Sequence, residues 1–328
     1  MNPQPLTISI IIPVRNEIRQ LTECLHAIAA SSLRPRQIIV TDDASAPPIS
    51  QDMIGPGIEL LRFNIPCGPS CARNRGARKA TGDILLFIDA DILIKPDTLF
   101  KIQHCFKQPR TQAVIGVFDP AQQYPNFFSD YKNLWMNYTY QQASSPAGLF
   151  FTSIAAIRKD IFMTTAGFDE HYTTPNTEDT AFGNVLLNSG ITPMVIPDIT
   201  VSHQKVYSFL SLLKTDIQRS CSLLKIRLRL KSILLKKNLT SVPPHFIVST
   251  LLTGLALVSL MITRNIFVFG AGLVCSAGAN YSFWKWLYAQ RGLKFTLTAI
   301  GFVFIDHLAV WAGLLHGLIS FYVFQKRF

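Results

Sequence analysis

The sequence predicts an α/β domain on a mostly parallel sheet, followed by a basic amphipathic helix and about three apolar helices. Three observations carry that prediction. Short continuous apolar runs alternate with helix-length amphipathic stretches over the first half of the chain, the pattern of strands buried on both faces of a parallel sheet. Polar and acidic residues follow each of those runs. Charge nearly vanishes beyond Pro244, and the whole 328-residue chain is only 16% charged, against about 25% in ordinary soluble proteins.

The runs are Ile8 to Val14, Gln37 to Thr41, Ile58 to Phe63 and Ile84 to Ile88. Leu21, Leu25, Ile28 and Ala29 recur at helical spacing between the first two, and between the last two Ser70 is placed to cap a helix ending near Gly82. In this layout ligands sit beyond the carboxyl ends of the strands. Arg15, Asn16 and Glu17 follow the first run, Asp42 and Asp43 the second, Asn64 the third, and Asp89 and Asp91 the fourth.

After Phe118 the texture changes. Tyr124, Phe127, Phe128, Tyr131, Trp135 and Tyr138 recur at spacings of three and four, so they share one helix face, read either as core packing or as an interfacial helix beside a lipid. Residues 204–237 mix leucines (Leu212, Leu213, Leu224, Leu228, Leu235) with Lys214, Arg219, Lys225, Arg229, Lys231, Lys236 and Lys237. A basic amphipathic helix on an anionic membrane face explains both halves of that pattern, and a solvated basic face with its leucines packed on the first domain is the alternative.

Phe246 to Ile262, Ile266 to Trp284 and Phe295 to Phe324 are each apolar for long enough to cross a bilayer, which takes about 20 residues. Lys285, Arg291 and Lys294 then lie on the same side as the first domain, as the positive-inside rule prefers, while Lys326 and Arg327 fall on the other. Asp306, His307 and His316 lie within the third segment, where ionisable groups are costly. Gly313 and Gly317 form a small-xxx-small pair suited to close helix packing. Three Asn-x-Ser/Thr sequons, at Asn137, Asn238 and Asn280, read as chance on this topology.

The basic excess is unevenly placed: 16 basic and 18 acidic side chains up to residue 203, nine and one over 204–237, six and one beyond. The near-neutral first domain lacks the basic face of a nucleic-acid binder. The six cysteines form no CxxC pair, so neither a disulfide framework nor a zinc cluster is expected. The apolar run from Leu6 to Val14 is short and lacks a charged flank, so it does not read as a signal peptide, and the first domain is expected in the cytoplasm.

Asp89-Ala90-Asp91 places two carboxylates one residue apart at a strand end. Mg²⁺ and similar hard cations take one or two carboxylates and complete their shell with substrate phosphates. Around this pair stand Ser9 to Pro13 with Asn16 and Glu17, Val40-Thr-Asp42-Asp43-Ala-Ser45, Asn64 with Gly68 and Ala72-Arg73-Asn74-Arg-Gly76, Thr81-Gly82-Asp83, Arg158 to Phe162, Ala166-Gly-Phe-Asp-Glu170 and Glu178-Asp179. In order and spacing these resemble the family 2 glycosyltransferases of GT-A fold, from about Ser9 to His203.

The resemblance implies that Pro13, Arg15, Glu17, Asp42, Asp43, Arg73, Asn74 and Asp89 bind the donor nucleotide-sugar. It places Asp89, Asp91 and His203 around Mg²⁺ or Mn²⁺. It makes Asp179, beside Glu178, the general base for an inverting displacement. A carboxylate such as Asp43 can accept the imide N–H of uracil, and Arg73 can donate to base or phosphate oxygens. Processive synthases of the same broad family carry Gln-x-x-Arg-Trp, which Gln218-Arg219-Ser220 does not match.

The expected organisation is a GT-A domain over 1–203, a basic interfacial helix over 204–240 and a transmembrane domain over 241–328. The expected activity is transfer of one sugar from a nucleotide-sugar, a UDP-sugar by resemblance, to a lipid or lipid-linked acceptor at the cell membrane. The alternatives are a processive polysaccharide synthase and a catalytically silent nucleotide-sugar binder. Membrane lipids are the other expected partner, nucleic acid is not one, and the oligomeric state is left open.

Overall fold

The computed structural model describes residues 5–142, 148–230 and 242–326. They form two compact units, and the chain passes between them more than once. The first unit holds the residues up to 119 and those from 148 to 205; the second holds 120–142, 206–230 and 242–326. A single crossing near residue 203 was expected. Lys231, Leu235, Lys236, Lys237 and the Asn238 sequon lie outside the described residues.

In the first unit, β1 (Ile8–Val14), β2 (Gln37–Asp42), β3 (Ile58–Arg62) and β4 (Ile84–Ile88) match the four apolar runs, and all pair in parallel. Helices α1 (Ile18–Ala29) and α2 (Gln51–Ile54) make the early crossovers. Helix α3 (Pro69–Lys79) begins differently from expectation. Its N-cap is Gly68, whose φ of +89° turns the chain into the helix, with Pro69 at the first helical position. Ser70 is therefore already inside the first turn, and its hydroxyl is buried without a partner among the described residues. The helix stops at Lys79 because Ala80 is extended, three residues before the expected end.

β5 (Ile92–Ile94) follows β4 after three residues, and α4 (Thr98–Cys105) leads to β6 (Ala113–Phe118). β7 (Ile154–Arg158), α6 (Lys159–Met163), α7 (Glu178–Asn188) and β8 (Met194–His203) complete the unit. The sheet order is β3-β2-β1-β4-β7-β6-β8-β5. Strands β7 and β5 run against the other six, so the mostly parallel sheet is mixed on one side. This side matters because β5 pairs with β8 in a register that sets His203 opposite Ile92, the residue after Asp91.

In the second unit, α5 (Phe127–Gln142) turns its aromatic stripe inward. Tyr131 and Tyr138 join a buried cluster with Leu212, Phe246, Phe283 and Phe302, and Phe127, Phe128 and Trp135 pack around it. The core reading of that stripe holds. α8 (Phe209–Arg229) likewise buries Leu212, Ile226 and Leu228.

Of the three apolar segments, two form helices of spanning length. These are α9 (Pro244–Thr263) and α11 (Tyr281–Tyr322), the latter broken at Gly292, where φ is 75° and ψ is −175°. The middle segment does not. α10 (Ile266–Ala279) has 14 residues, about 21 Å at 1.5 Å per residue, short of the roughly 30 Å hydrocarbon core. Asn280 ends it, being drawn to α9: its Nδ2 donates to Ser249 Oγ (2.9 Å), and its Oδ1 faces His245 Nδ1 (2.9 Å).

The ionisable residues of α11 are mostly tied to neighbouring helices. His307 Nδ1 meets Thr253 Oγ1 at 2.8 Å, and Asp306 faces the buried Lys132–Asp216 ion pair. His316 is exposed. Gly313 and Gly317 lie against the backbone of α8: a methyl group at Gly313 would collide with Ile217 and Ser220, and one at Gly317 would crowd Cys221. Small residues bring these two helices together.

Candidate active site

The acidic strand ends converge in the first unit, and each carboxylate has its own support. Asp91 Oδ2 is 3.0 Å from His203 Nε2, and the imidazole lies flat on Phe118, with centroids 4.6 Å apart. Burial by itself raises the Asp91 carboxyl, but the His203 hydrogen bond and charge, with Lys205, outweigh it and hold Asp91 below the ordinary carboxylate range. Asp91 is thus kept ionised, as a cation ligand must be. The backbone N–H of Gln204 donates to the Asp91 carbonyl at 2.9 Å, which draws Lys205 toward the same acidic cluster.

Asp89 accepts from Arg73 Nη2 through Oδ1 (2.7 Å) and from Ser153 Oγ through Oδ2 (2.8 Å). Arg73 is 3% exposed, and its Nη1 donates to Glu178 Oε1 at 2.9 Å. Burial opposes its charge, yet the two carboxylates more than compensate and raise its pKa further. One guanidinium therefore joins the Asp-Ala-Asp turn to the start of α7, where Asp179 stands mostly buried beside Glu178.

Glu17, at the mouth of the site, has its pKa raised by desolvation and then by the charges of Asp91 and Asp89. Pro13 is the penultimate residue of β1, paired opposite Thr41, and Arg15 is exposed. Asp42 is buried and braces the following loop, accepting from the Ser45 N–H at 2.9 Å. Asp43 accepts the backbone N–H groups of Cys67 (2.7 Å) and Gly68 (3.0 Å). A carboxylate has about four acceptor positions, so it retains capacity for a further donor.

Asn74 turns inward. Its amide clasps the backbone of Phe168, donating to the carbonyl (2.8 Å) and accepting from the N–H (2.9 Å), and also donates to Glu170 Oε1 at 2.9 Å. The structure thus ties Asp89, Arg73 and Glu178 into one ion-paired group and Asp91 and His203 into another, with Glu17 near enough to feel the charges of Asp89 and Asp91. It commits Asp42 and Asn74 to holding loops. Ser153 and Phe118 are supporting residues that the sequence did not single out, because only the pairing of β7, β6 and β8 brings them near.

Among the described residues no three His, Cys, Asp or Glu side chains converge as a protein-only metal site would need. The donor set fits a hard divalent cation held by Asp91 and His203 and completed by phosphate oxygens and water.

Comparison with known proteins bears on the family and the fold. Residues 9–165 match the family model for Glycosyl transferase family 2. A pre-mycofactocin glycosyltransferase from Mycobacterium tuberculosis is 29% identical over 177 residues, covering 51% of this chain and 37% of that protein. The chain thus matches little more than a third of this relative's length. An N-acetylglucosaminyltransferase from Bradyrhizobium elkanii is 31% identical over 124 residues, covering 34% of this chain and 65% of its own. Among solved structures, the mannosyltransferase PcManGT from Pyrobaculum calidifontis, in complex with GDP-Man and Mn²⁺, superposes with a TM-score of 0.57 at 18% identity, covering 96% of this chain and 88% of its own. At that identity the likeness speaks for the fold. Residues 9–165, a little under half of the chain, are thus similar to a glycosyltransferase family 2 domain.

Proposed function

We propose that the protein is a membrane-associated inverting glycosyltransferase that moves one sugar from a nucleotide-sugar to a lipid or lipid-linked acceptor. One observation carries the reading: Arg73 reaches Asp89 at 2.7 Å and Glu178 at 2.9 Å, so the Asp-Ala-Asp turn and the start of the helix that carries the candidate base Asp179 lie one guanidinium apart. That closeness suits a single in-line displacement, in which nucleophile activation and leaving-group stabilisation act across one sugar ring.

In this reading Asp179 takes the proton of the acceptor hydroxyl as the oxygen attacks the anomeric carbon. Its position at the start of α7 favours the ionised form. Asp43, Glu17 and Asp89 line the donor side, and Asp91 with His203 holds the divalent cation. That cation would supply charge neutralisation on the leaving diphosphate. The GDP-Man and Mn²⁺ of the mannosyltransferase support a nucleotide-sugar and a divalent metal here. The sequence resemblance favours a UDP-sugar.

Membrane association is supported by α9 and α11, whose most apolar 18-residue windows are only 22% and 33% buried within the protein, unlike the core helices of soluble proteins. Leu255, Met261, Ile262, Phe267 and Val274 are among their exposed side chains and those of α10. We place the first unit on the cytoplasmic side, with Lys285, Arg291 and Lys294. An enzyme held at the bilayer meets lipid acceptors at raised effective concentration.

The test uses membranes carrying the wild type, Asp91→Ala or Asp179→Asn. They are incubated with Mn²⁺ or Mg²⁺, labelled UDP- and GDP-sugars and total lipid extract, and label is counted in the organic phase. Metal-dependent lipid labelling lost in both variants is the expected result. Label in high-mass polymer would replace the proposal with a processive synthase, and label in neither fraction would leave a silent nucleotide-sugar binder.

A further inference from the structure

Arg73 does not look outward at a substrate. Its guanidinium is enclosed by Asp89 on one side, Glu178 on another and the Phe168 ring, whose centroid lies 5.6 Å from its central carbon. Its Nε is buried and has no partner among the described residues. Each terminal nitrogen donates to a carboxylate, and the residue is only 3% exposed, so burial leaves a donor phosphate little access to the remaining N–H groups.

The surroundings are built to keep this arrangement. Asn74, the next residue, clasps the Phe168 backbone and so fixes the ring against which Arg73 lies. Glu178 is tied at both oxygens: Oε1 accepts from Arg73, and Oε2 accepts the backbone N–H of Asn176 at 2.8 Å, in the turn that leads into α7. Glu178 is 4% exposed, which leaves it little access to an acceptor. Buried ion pairs give little net stability against well-packed apolar residues, so a charged strut here is better understood as fixing geometry.

We infer that Arg73 is a positioning residue: acting through Glu178, it holds the start of α7, and with it Asp179, at a set distance from Asp89. The base role of Asp179 is taken from the proposed function, and the inference rests on that reading. Arginine suits the task where lysine does not, because a planar fork can meet two carboxylates at once while an ammonium is a point charge. Glu178 is accordingly a positioning residue as well, and the carboxylate that touches substrate is Asp179.

The experiment uses the full chain in lipid nanodiscs and compares the wild type with Arg73→Lys, Arg73→Met and Glu178→Gln. Amide hydrogen exchange is read over residues 176–182, with α1 as the internal reference. Binding of UDP and of GDP, each with Mn²⁺, is measured beside the transfer rate. The expected result is faster exchange at 176–182 with α1 unchanged, nucleotide affinity within about threefold, and kcat lower by roughly 100-fold, the cost of a base misplaced by about 1 Å. Arg73→Lys and Glu178→Gln keep the inference testable if Arg73→Met fails to fold. Unchanged exchange at the start of α7 would overturn the strut, and loss of nucleotide affinity in step with kcat would make Arg73 a donor ligand instead. A wild type that transfers no sugar would overturn the proposed function, and the exchange measurement would still decide the strut.

Discussion

His203 lies flat on Phe118, with ring planes 15° apart, while its Nε2 stands 3.0 Å from Asp91. A phenylalanine at the end of β6 thus sets the direction from which the imidazole meets the carboxylate. Substituting Phe118→Leu keeps an apolar side chain but removes the flat support. The metal concentration giving half-maximal activity is expected to rise about tenfold, the lower end of what lost orienting contacts cost a metal site. Titration of activity with Mn²⁺ checks this; an unchanged midpoint would mean that His203 is held in place without Phe118.

Gly167 has φ +70°, and a Cβ there would lie 2.6 Å from Asn74 Oδ1. A Gly167→Ala chain meets backbone strain and a clash at the clasp that orders Phe168. Destabilisation of about 1–3 kcal/mol is expected, the range for a residue forced into a sparsely populated conformation. Denaturant unfolding measures it. Gly55, which also has positive φ but an open Cβ position, is the control, and its alanine variant should lose less.

Asp83 accepts from the N–H (2.8 Å) and hydroxyl (2.7 Å) of Thr7, and these bonds lower its pKa from the ordinary 3.8. Because the folded-state pKa lies below the unfolded one, its stabilisation is fully present above pH 3.8 and fades as pH falls through the folded value. Asp83→Asn should therefore cost about 1 kcal/mol or less near neutral pH, discounted for the exposure of the site, and the difference from wild type should vanish in acid. Thermal midpoints across pH 2–8 give the comparison.

Gly313 and Gly317 bring α11 against the α8 backbone. Gly317→Leu should separate the helices and lower the folded yield in detergent, whereas Ile319→Leu, at an exposed position of the same helix, should be neutral. Size-exclusion profiles and protease resistance report the difference.

Much of the first unit was legible in sequence because its signals are local. The apolar runs gave four strands within one residue at either end, and polar residues after them marked the site. His203 was reached only through the family resemblance. Other roles depend on distant partners: Asn74 and Arg73 sit in a motif that implies ligand binding, yet both point inward because Phe168 and Glu178, about 100 residues later, fold over them. The mixed side of the sheet was hidden for the same reason. Apolar length alone overcounted the helices of spanning length, since hydropathy does not register a buried Asn280 drawn sideways to α9.

The aromatic face of α5 is covered by Phe246, Phe283 and Phe302, residues that come more than 100 positions later in the chain. The C-terminal helices are therefore half of a shared interior. A chain cut after residue 205 would keep every motif of the glycosyltransferase domain but leave Tyr131, Tyr138 and Trp135 bare, and it should aggregate. Its inactivity would say nothing about lipid, so the acceptor question calls for point substitutions in an intact chain.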